Sequence, residues 1–216
     1  MSEPLTLDLV DRDGAIREAH EEGMNRSALF RRAVVGGGTF LAGGLLVGGL
    51  PRIALGKPSA AQDAKILNFA LLLEYLESAF YASAMKHAGL TGEHKRLART
   101  VHQHEAAHVQ ALKKALGSSA VKRPTFDFGA AVQSQSAFTS TAITLEDTGV
   151  QAYQGQAPFI KSNDVFKAAI SIHPVEARHA AWIRNLGGMS PAPDAFNPAL
   201  TKSQVLAAVT GTGFIK

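Results

Sequence analysis

Apolar residues recur at intervals of three and four over four long stretches of the chain, all of them after Asp63. This spacing places them on one face of an α-helix, so each stretch is predicted to be a helix that buries that face. Glycine follows three of the stretches, as expected where helices end. The predicted helices run from Asp63 to Gly89, from Gly92 to Leu116, from Ala130 to Tyr153 and from Asp164 to Leu186.

These stretches predict an all-α four-helix bundle. The first and second helices are joined by a tight turn and should be antiparallel. Residues 118–129, between the second and third helices, contain Ser, Pro and Gly. Extended at roughly 3.3 Å per residue, this segment can travel the length of a helix of about 35 Å. It therefore permits a bundle with one long crossover, although its length alone also allows an up-down-up-down bundle.

The chain after the fourth helix is rich in proline and then contains a short helical pattern from Ser203 to Val209. Because it ends on apolar Phe214 and Ile215, we expect this C-terminal tail to pack on the bundle. The predicted organisation is a leader over residues 1–61, a bundle over 62–188 and a tail over 189–216.

The leader combines a polar, acidic start with paired arginines and an uncharged segment. Arg31 and Arg32 directly precede residues 33–50, which carry no charge and contain many glycines. This order is typical of a twin-arginine export signal, and small residues at 54–56 and 59–61 suit cleavage. Export would place the protein in the periplasm or outside the cell.

Two alternatives for the same segment stay open. Eighteen uncharged residues are also just long enough to anchor the chain in a bilayer, with the bundle outside the cytoplasm. The third reading is a buried, glycine-rich helix in a soluble protein. In the first two cases residues 26–50 interact with the membrane or the export machinery.

The composition of the chain argues against several kinds of binding site and binding partner. The net charge is only +4, and the basic residues are scattered without aromatic residues between them, so nucleic-acid binding is not expected. The absence of cysteine excludes disulfides, zinc–thiolate sites, iron–sulfur clusters and cysteine nucleophiles.

Two helices carry the same Glu-x-x-His spacing. Glu105 and His108 form the first pair, and Glu176 and His179 the second. Residues three apart share one helix face, so each carboxylate and imidazole can reach the same point. A histidine also stands three positions before each glutamate, at His102 and His173.

The other two helices each contribute a glutamate within an apolar stretch. Glu74 and Glu146 are followed, two helical turns further along the same face, by Tyr81 and Tyr153. The distance along the chain from each of these glutamates to the next Glu-x-x-His pair is nearly the same in both halves. The chain therefore reads as two copies of a helix pair, each supplying Glu, Tyr, Glu and His in the same order.

Burying four carboxylates together requires positive charge, which two divalent cations supply. Oxygen and imidazole ligands suit iron or manganese. One glutamate from each of two helices with Glu-x-x-His from the other two is the di-iron or di-manganese carboxylate arrangement. In this arrangement Glu74 and Glu146 are terminal ligands, Glu105 and Glu176 bridge, and His108 and His179 complete the two ions.

Residues 63–188 resemble the ferritin-like superfamily, because the Glu-x6-Tyr and Glu-x-x-His spacings match ferritins and bacterioferritins. The sequences of residues 73–81, 175–181 and 196–215 are most similar to the desiccation-related, often exported ferritin-like branch. The resemblance implies the fold and the di-metal site. It leaves the activity open, since members include iron-storage, oxidation, peroxide-removal and stress proteins.

Several further residues are weighed beside these six. Glu77, His102 and His173 are additional ligand candidates, although a surface or helix-pairing role is the alternative for Glu77. The tyrosines are expected to donate hydrogen bonds to ligand carboxylates rather than to take part in redox chemistry. The remaining histidines of this region, His87, His94 and His104, are predicted to lie on the surface.

The favoured function is a di-metal protein in which Fe(II) or Mn(II) reacts with oxygen or peroxide in a stress-protective role, as a ferroxidase, peroxidase or catalase. A non-catalytic stress-related bundle with a structural metal site is the main alternative. Iron sequestration in a closed cage is a third, which a membrane anchor would obstruct. A homo-oligomer is compatible with all three.

Overall fold

The protein is described by a computed structural model that covers residues 60–216. The predicted export or anchor segment therefore lies outside the described residues. The described part consists of helices joined by turns and longer loops, with one isolated β-bridge between Phe126 and Ile215. Its helices are α1 (Ala60–His87), α2 (Gly92–Leu116), α3 (Gln135–Gln156), α4 (Asn163–Leu186) and α5 (Lys202–Gly211).

The third helix begins later than predicted. The chain from Gly129 to Val132 forms a 3₁₀ turn, and α3 starts only at Gln135. The reason is local: the Ser134 side chain accepts a hydrogen bond from the backbone N–H of Ala137 and so caps the helix at this point. The apolar periodicity includes the preceding turn, and it therefore overstates the length of the helix.

Hydrogen bonds across the bundle give the helix directions. Tyr81 near the end of α1 contacts Glu146, whereas Glu74 earlier in α1 contacts Tyr153, so α1 and α3 are antiparallel. A tight turn makes α1 and α2 antiparallel as well. Helices α2 and α3 consequently point the same way, and residues 117–134 travel the length of the bundle between them. This is the long crossover that the segment length allowed.

The core consists of two clusters of buried apolar residues. Phe80 stacks on Phe138 in the first cluster, with ring centroids 5.6 Å apart, and Tyr81 belongs to this cluster. The second cluster includes Leu71 and Tyr153. Because each tyrosine also bonds to a buried glutamate, the two tyrosines bring both clusters into contact with the polar residues of the core.

The predicted packing of the tail is confirmed for its second half. Val205 and Val209 of α5 are buried, and both belong to the first core cluster. After α5, the backbone N–H of Asp127 donates to the carbonyl of Phe214. Residues 187–199 are exposed, although the side-chain amide of Gln154 in α3 donates a hydrogen bond to the carbonyl of Asn197.

Within residues 60–216, none of the helices combines the length and the apolar character needed to cross a membrane.

The tail is fixed by a close approach that only glycine permits. A Cβ added to Gly155 would lie 1.9 Å from the backbone carbonyl oxygen of Leu200. We therefore expect Gly155→Ala to lower the free energy of unfolding by about 1–3 kcal/mol in denaturant titrations. Gly211→Ala is the matched control, because nothing lies within 4 Å of its Cβ position and its stability should stay near that of the wild type. Equal stability of the two variants would contradict this account of the tail.

Candidate metal centre

Four helices bring six potential metal ligands into the centre of the bundle. All four glutamates have 0% exposed surface, and both histidines are buried. The apolar positions around each glutamate define the inward face of its helix, and this face carries the carboxylate into the core. The ligands are Glu74 of α1, Glu105 and His108 of α2, Glu146 of α3, and Glu176 and His179 of α4.

The six residues form two overlapping groups. In each group, one potential ligand atom from every member lies within 4.8 Å of those of the others. Both groups contain Glu105 and Glu176, so the two positions that could hold a cation are adjacent and share these carboxylates. The first group adds Glu74 and His108, and the second adds Glu146 and His179.

Both imidazoles point the same nitrogen toward the carboxylates. His108 Nδ1 lies 3.2 Å from Glu74 and 3.0 Å from Glu176. His179 Nδ1 lies 3.0 Å from Glu105 and 3.6 Å from Glu176. The two ring centroids are 6.4 Å apart. Each ring thus offers Nδ1 to one of the two positions, and the internal repeat is preserved in space.

The two tyrosines hold the glutamates of α1 and α3 in a crosswise pattern. Tyr81 of α1 donates a hydrogen bond to Glu146 at 2.5 Å, and Tyr153 of α3 donates one to Glu74 at the same distance. Burial raises the pKa of both phenols well above the ordinary value, and the neighbouring glutamates raise it further. Both tyrosines therefore remain neutral donors that fix the orientation of one carboxylate oxygen.

Burial and like charge shift the pKa values of the carboxylates. Burial raises the pKa of Glu74 well above its ordinary value, and it raises that of Glu146 to about 7. Burial also acts to raise the pKa of Glu105, but the adjacent imidazoles outweigh this effect and hold it at about 2. For His108 and His179, burial alone would lower the pKa, whereas the surrounding carboxylates raise it to about 12. Without a metal, the two imidazoles are therefore protonated and offset part of the negative charge.

Several buried atoms at the centre have no hydrogen-bond partner in the described part of the chain. They include Oε1 of Glu105, Oε2 of Glu146, both carboxylate oxygens of Glu176 and Nδ1 of His179. Some of these atoms are close to one another without suitable angles: His179 Nδ1 lies 3.0 Å from Glu105 Oε1. Unpaired buried polar atoms are costly, and a cation would satisfy several at once. The donor set therefore fits metal ions.

His104 lies on the surface, as the sequence predicts, but it also reaches the site, which the sequence interpretation missed. Its Nδ1 lies 2.8 Å from Nε2 of His179, and the two rings stack with centroids 5.1 Å apart. Partial burial and the adjacent His179 lower the pKa of His104, which favours a neutral ring that can accept a hydrogen bond. The sequence could have indicated this contact, because His104 and His108 are four residues apart and therefore lie next to each other on one face of α2.

Glu77 is buried in the structure, whereas one of the roles predicted from the sequence was a surface position. It is only 3% exposed, so a surface position is wrong. Its carboxylate packs on α3 at Gly149, where an added Cβ would lie 3.0 Å from Oε1. Burial raises the pKa of Glu77 well above the ordinary value, and Glu146 is the neighbouring charge that raises it most. Glu77 is not a member of either ligand group.

The histidines one turn before the bridging glutamates lie outside both groups as well. His102 places Nδ1 3.1 Å from the backbone carbonyl oxygen of Ser78, so it links α2 to α1. His173 has a buried Nε2 without a hydrogen-bond partner among the described residues. The geometry brings neither of them to the two cation positions.

A profile of the ferritin-like domain family matches residues 62–189. The chain belongs to this family. A search among curated proteins gave no match. Membership agrees with the superfamily predicted from the Glu-x6-Tyr and Glu-x-x-His spacings. The narrower resemblance to the exported, desiccation-related branch stays a prediction.

The shifted pKa values predict how the stability of the metal-free protein depends on pH. With pKa values of about 12, His108 and His179 stabilise the fold fully below pH ~6.5, and this stabilisation is lost as the pH rises toward 12. Glu146 has the same effect, because its pKa is also raised, to about 7. Its contribution to the stability of the fold is complete below pH ~4.5 and is lost as the pH rises through 7. Urea unfolding with a chelator should therefore show falling stability from pH 5 to pH 8, by about 1.4 kcal/mol per pH unit for each titrating group.

Glu146→Gln provides the control for this pH dependence. Glutamine keeps the shape of the side chain and cannot ionise, so the slope between pH 5 and pH 7 should become shallower. A stability that rises over this range in the wild type would contradict the charge balance described here.

Proposed function

We propose that the protein binds two iron or manganese ions in the bundle core and acts as a di-metal oxidoreductase on oxygen or peroxide. The observation that supports this most directly is that both ligand groups share Glu105 and Glu176. A single structural ion would need only one group. Two groups with shared carboxylates suit a pair of adjacent ions that react with the two oxygens of one substrate molecule.

In this proposal both ions would share Glu105 and Glu176. Glu74 and His108 would hold one ion, and Glu146 and His179 would hold the other. The ligands are all oxygen or nitrogen atoms, which favours iron or manganese over metals that prefer thiolates. When bound, the metal pair supplies the electrons and the Lewis acidity for reaction with oxygen or peroxide.

The protein's own residues would orient the ligands and exclude water. Tyr81 fixes one oxygen of Glu146, whose other oxygen has no hydrogen-bond partner among the described residues, and Tyr153 fixes one oxygen of Glu74, whose other oxygen lies 3.2 Å from Nδ1 of His108. The apolar clusters keep the glutamates out of solvent. A low-dielectric surrounding strengthens every charge interaction within the site. The bundle would thus provide a rigid, dry chamber with the donor atoms preorganised.

A structural metal site is the second candidate, and the burial of the glutamates favours it. The four carboxylates have no exposed surface, so ions bound there would cross-link all four long helices. Such ions would stabilise the stress-related bundle without turnover.

We also propose that the bundle works outside the cytoplasm, either exported or held at the membrane. The support is the sequence of residues 26–50, with its arginines ahead of an uncharged segment. Intact mass of protein purified from its native host tests this point. A mature chain that begins between Lys57 and Gln62 fits an exported protein, and a retained leader in the membrane fraction fits an anchor. A full-length protein confined to the cytoplasm would contradict both.

The metal stoichiometry tests the ligand assignment. The wild type should bind two Fe(II) or Mn(II) per chain after anaerobic loading and desalting. A Glu105→Gln, Glu176→Gln double variant should retain less than one, because it removes the charge of both shared carboxylates. Asp164→Asn is the matched control, since it also removes a carboxylate charge but at a side chain that is 94% exposed. Two bound ions in the double variant would overturn the assignment.

Turnover and heat stability separate the two candidate functions. The di-metal oxidoreductase predicts consumption of oxygen or peroxide by the Fe(II)- or Mn(II)-loaded wild type. Both candidates predict a higher melting temperature with metal, since a ligand at 1,000 times its Kd stabilises the fold by about 4 kcal/mol per site. Two bound ions that raise the melting temperature without any consumption of oxygen or peroxide would leave only the structural role.

A further inference from the structure

The duplicated site is not fully symmetric, and Glu77 and His104 are two polar residues of the first half that have no polar counterpart in the second. The two glutamate–tyrosine pairs correspond to each other in the repeat, and so do the two Glu-x-x-His pairs. Counted along the chain from these pairs, Glu77 corresponds to Gly149, and His104 corresponds to Val175. In each case a polar residue in the first half corresponds to a residue without a polar side chain in the second.

Glu77 lies where a side chain at the corresponding position 149 would also have to lie. Helices α1 and α3 are antiparallel, so Glu77 and Gly149 face each other near the centre of the repeat. A Cβ at position 149 would lie 3.0 Å from Glu77 Oε1, so any side chain there would press against the Glu77 carboxyl group. Gly149 lies one helical turn after Glu146. The additional carboxyl group thus packs on α3 one turn from Glu146, which belongs to the ligand group of His179.

His104 adds a hydrogen bond to the same ligand group. His179 directs Nδ1 toward the carboxylates, so binding a metal through Nδ1 leaves the proton on Nε2. This N–H then donates to Nδ1 of His104, which lies 2.8 Å away. An acceptor on the outer nitrogen fixes the tautomer and orientation of a ligating imidazole and increases its basicity. Valine at the corresponding position 175 has no acceptor to offer His108.

We infer that the two metal positions are chemically different and that the position beside His179 fills first. Both asymmetric residues contribute to it: Glu77 adds a buried carboxyl group whose ionised form a nearby cation would stabilise, and His104 increases the donor strength of the imidazole. The position beside His108 has neither. His104 is thus a positioning residue that acts through His179. This inference rests on the proposed di-metal site and adds an order of binding to it.

Titration of the metal-free protein with Co(II) alone tests this order. Visible absorbance reports the ligand field of each bound Co(II), and competition with a chelator gives the two affinities. We expect two steps at least tenfold apart in the wild type. His104→Val, which reproduces the residue at 175, should weaken the first step by 10- to 100-fold and leave the second within threefold. Glu77→Gln should also weaken the first step and spare the second.

Two further variants control for indirect effects. His94→Val removes a histidine outside both ligand groups and should leave both steps unchanged. Val175→His places an acceptor at the position that corresponds to His104 and should tighten the second step, so that the two affinities converge. Circular dichroism of every variant establishes that it is folded before it is titrated.

A tautomer measurement gives a readout that is independent of affinity. In Zn(II)-loaded wild type, long-range ¹H–¹⁵N spectra should show the His179 proton on Nε2, shifted downfield by its hydrogen bond. His104→Val should move this resonance, whereas His94→Val should not.

The outcomes distinguish this inference from the proposed function. Two Co(II) ions bound with equal affinity, or a His104→Val variant that weakens both steps equally, would overturn the inference and leave the di-metal site intact. A wild type that binds no Co(II) would overturn both.

Discussion

Four glutamates from four helices meet in the core of the bundle with no exposed surface, and this concentration of like charge is the constraint on which the structure depends. Apolar packing alone does not balance it, because each buried carboxylate loses the hydration that stabilises its charge in water. The protein offsets part of the cost with two protonated imidazoles and two tyrosine donors. Several carboxylate oxygens still have no hydrogen-bond partner in the described residues, and it is this residual demand that metal ions would satisfy.

The rest of the fold serves to hold these groups at fixed positions. The antiparallel arrangement of α1 and α3 lets each tyrosine reach the glutamate of the opposite helix. The two apolar clusters pack around the charged groups and prevent the helices from separating. The tail adds α5 to the first cluster, where Val205 and Val209 are buried. Stability and site geometry therefore depend on the same contacts.

The sequence contains most of the site because helix periodicity is local. A spacing of three places Glu105 beside His108, and apolar neighbours mark Glu74 and Glu146 as buried, so all six residues of the two buried groups were predictable without a structure. The start of α3 was not predictable in this way, because the Ser134 cap depends on backbone geometry that the apolar pattern does not encode. The contact of His104 and the burial of Glu77 were missed for a different reason. Their surroundings are set by residues of other helices: His179 in one case and Gly149 in the other.

These two residues show how a repeated sequence becomes an asymmetric site. Duplication by itself gives two equal positions, and a protein with one ion bound would then be a mixture of two forms. A side chain at position 149 would press against the Glu77 carboxyl group, because its Cβ would lie 3.0 Å from Oε1 of Glu77. A carboxyl group gained on one helix therefore disfavours a counterpart on the other. Once one half carries this additional carboxyl group, a hydrogen-bond acceptor such as His104 on the same half reinforces the difference rather than cancelling it. Asymmetry in a duplicated core is thus a consequence of packing, and under the proposed order of binding it would give the half-loaded protein one defined form.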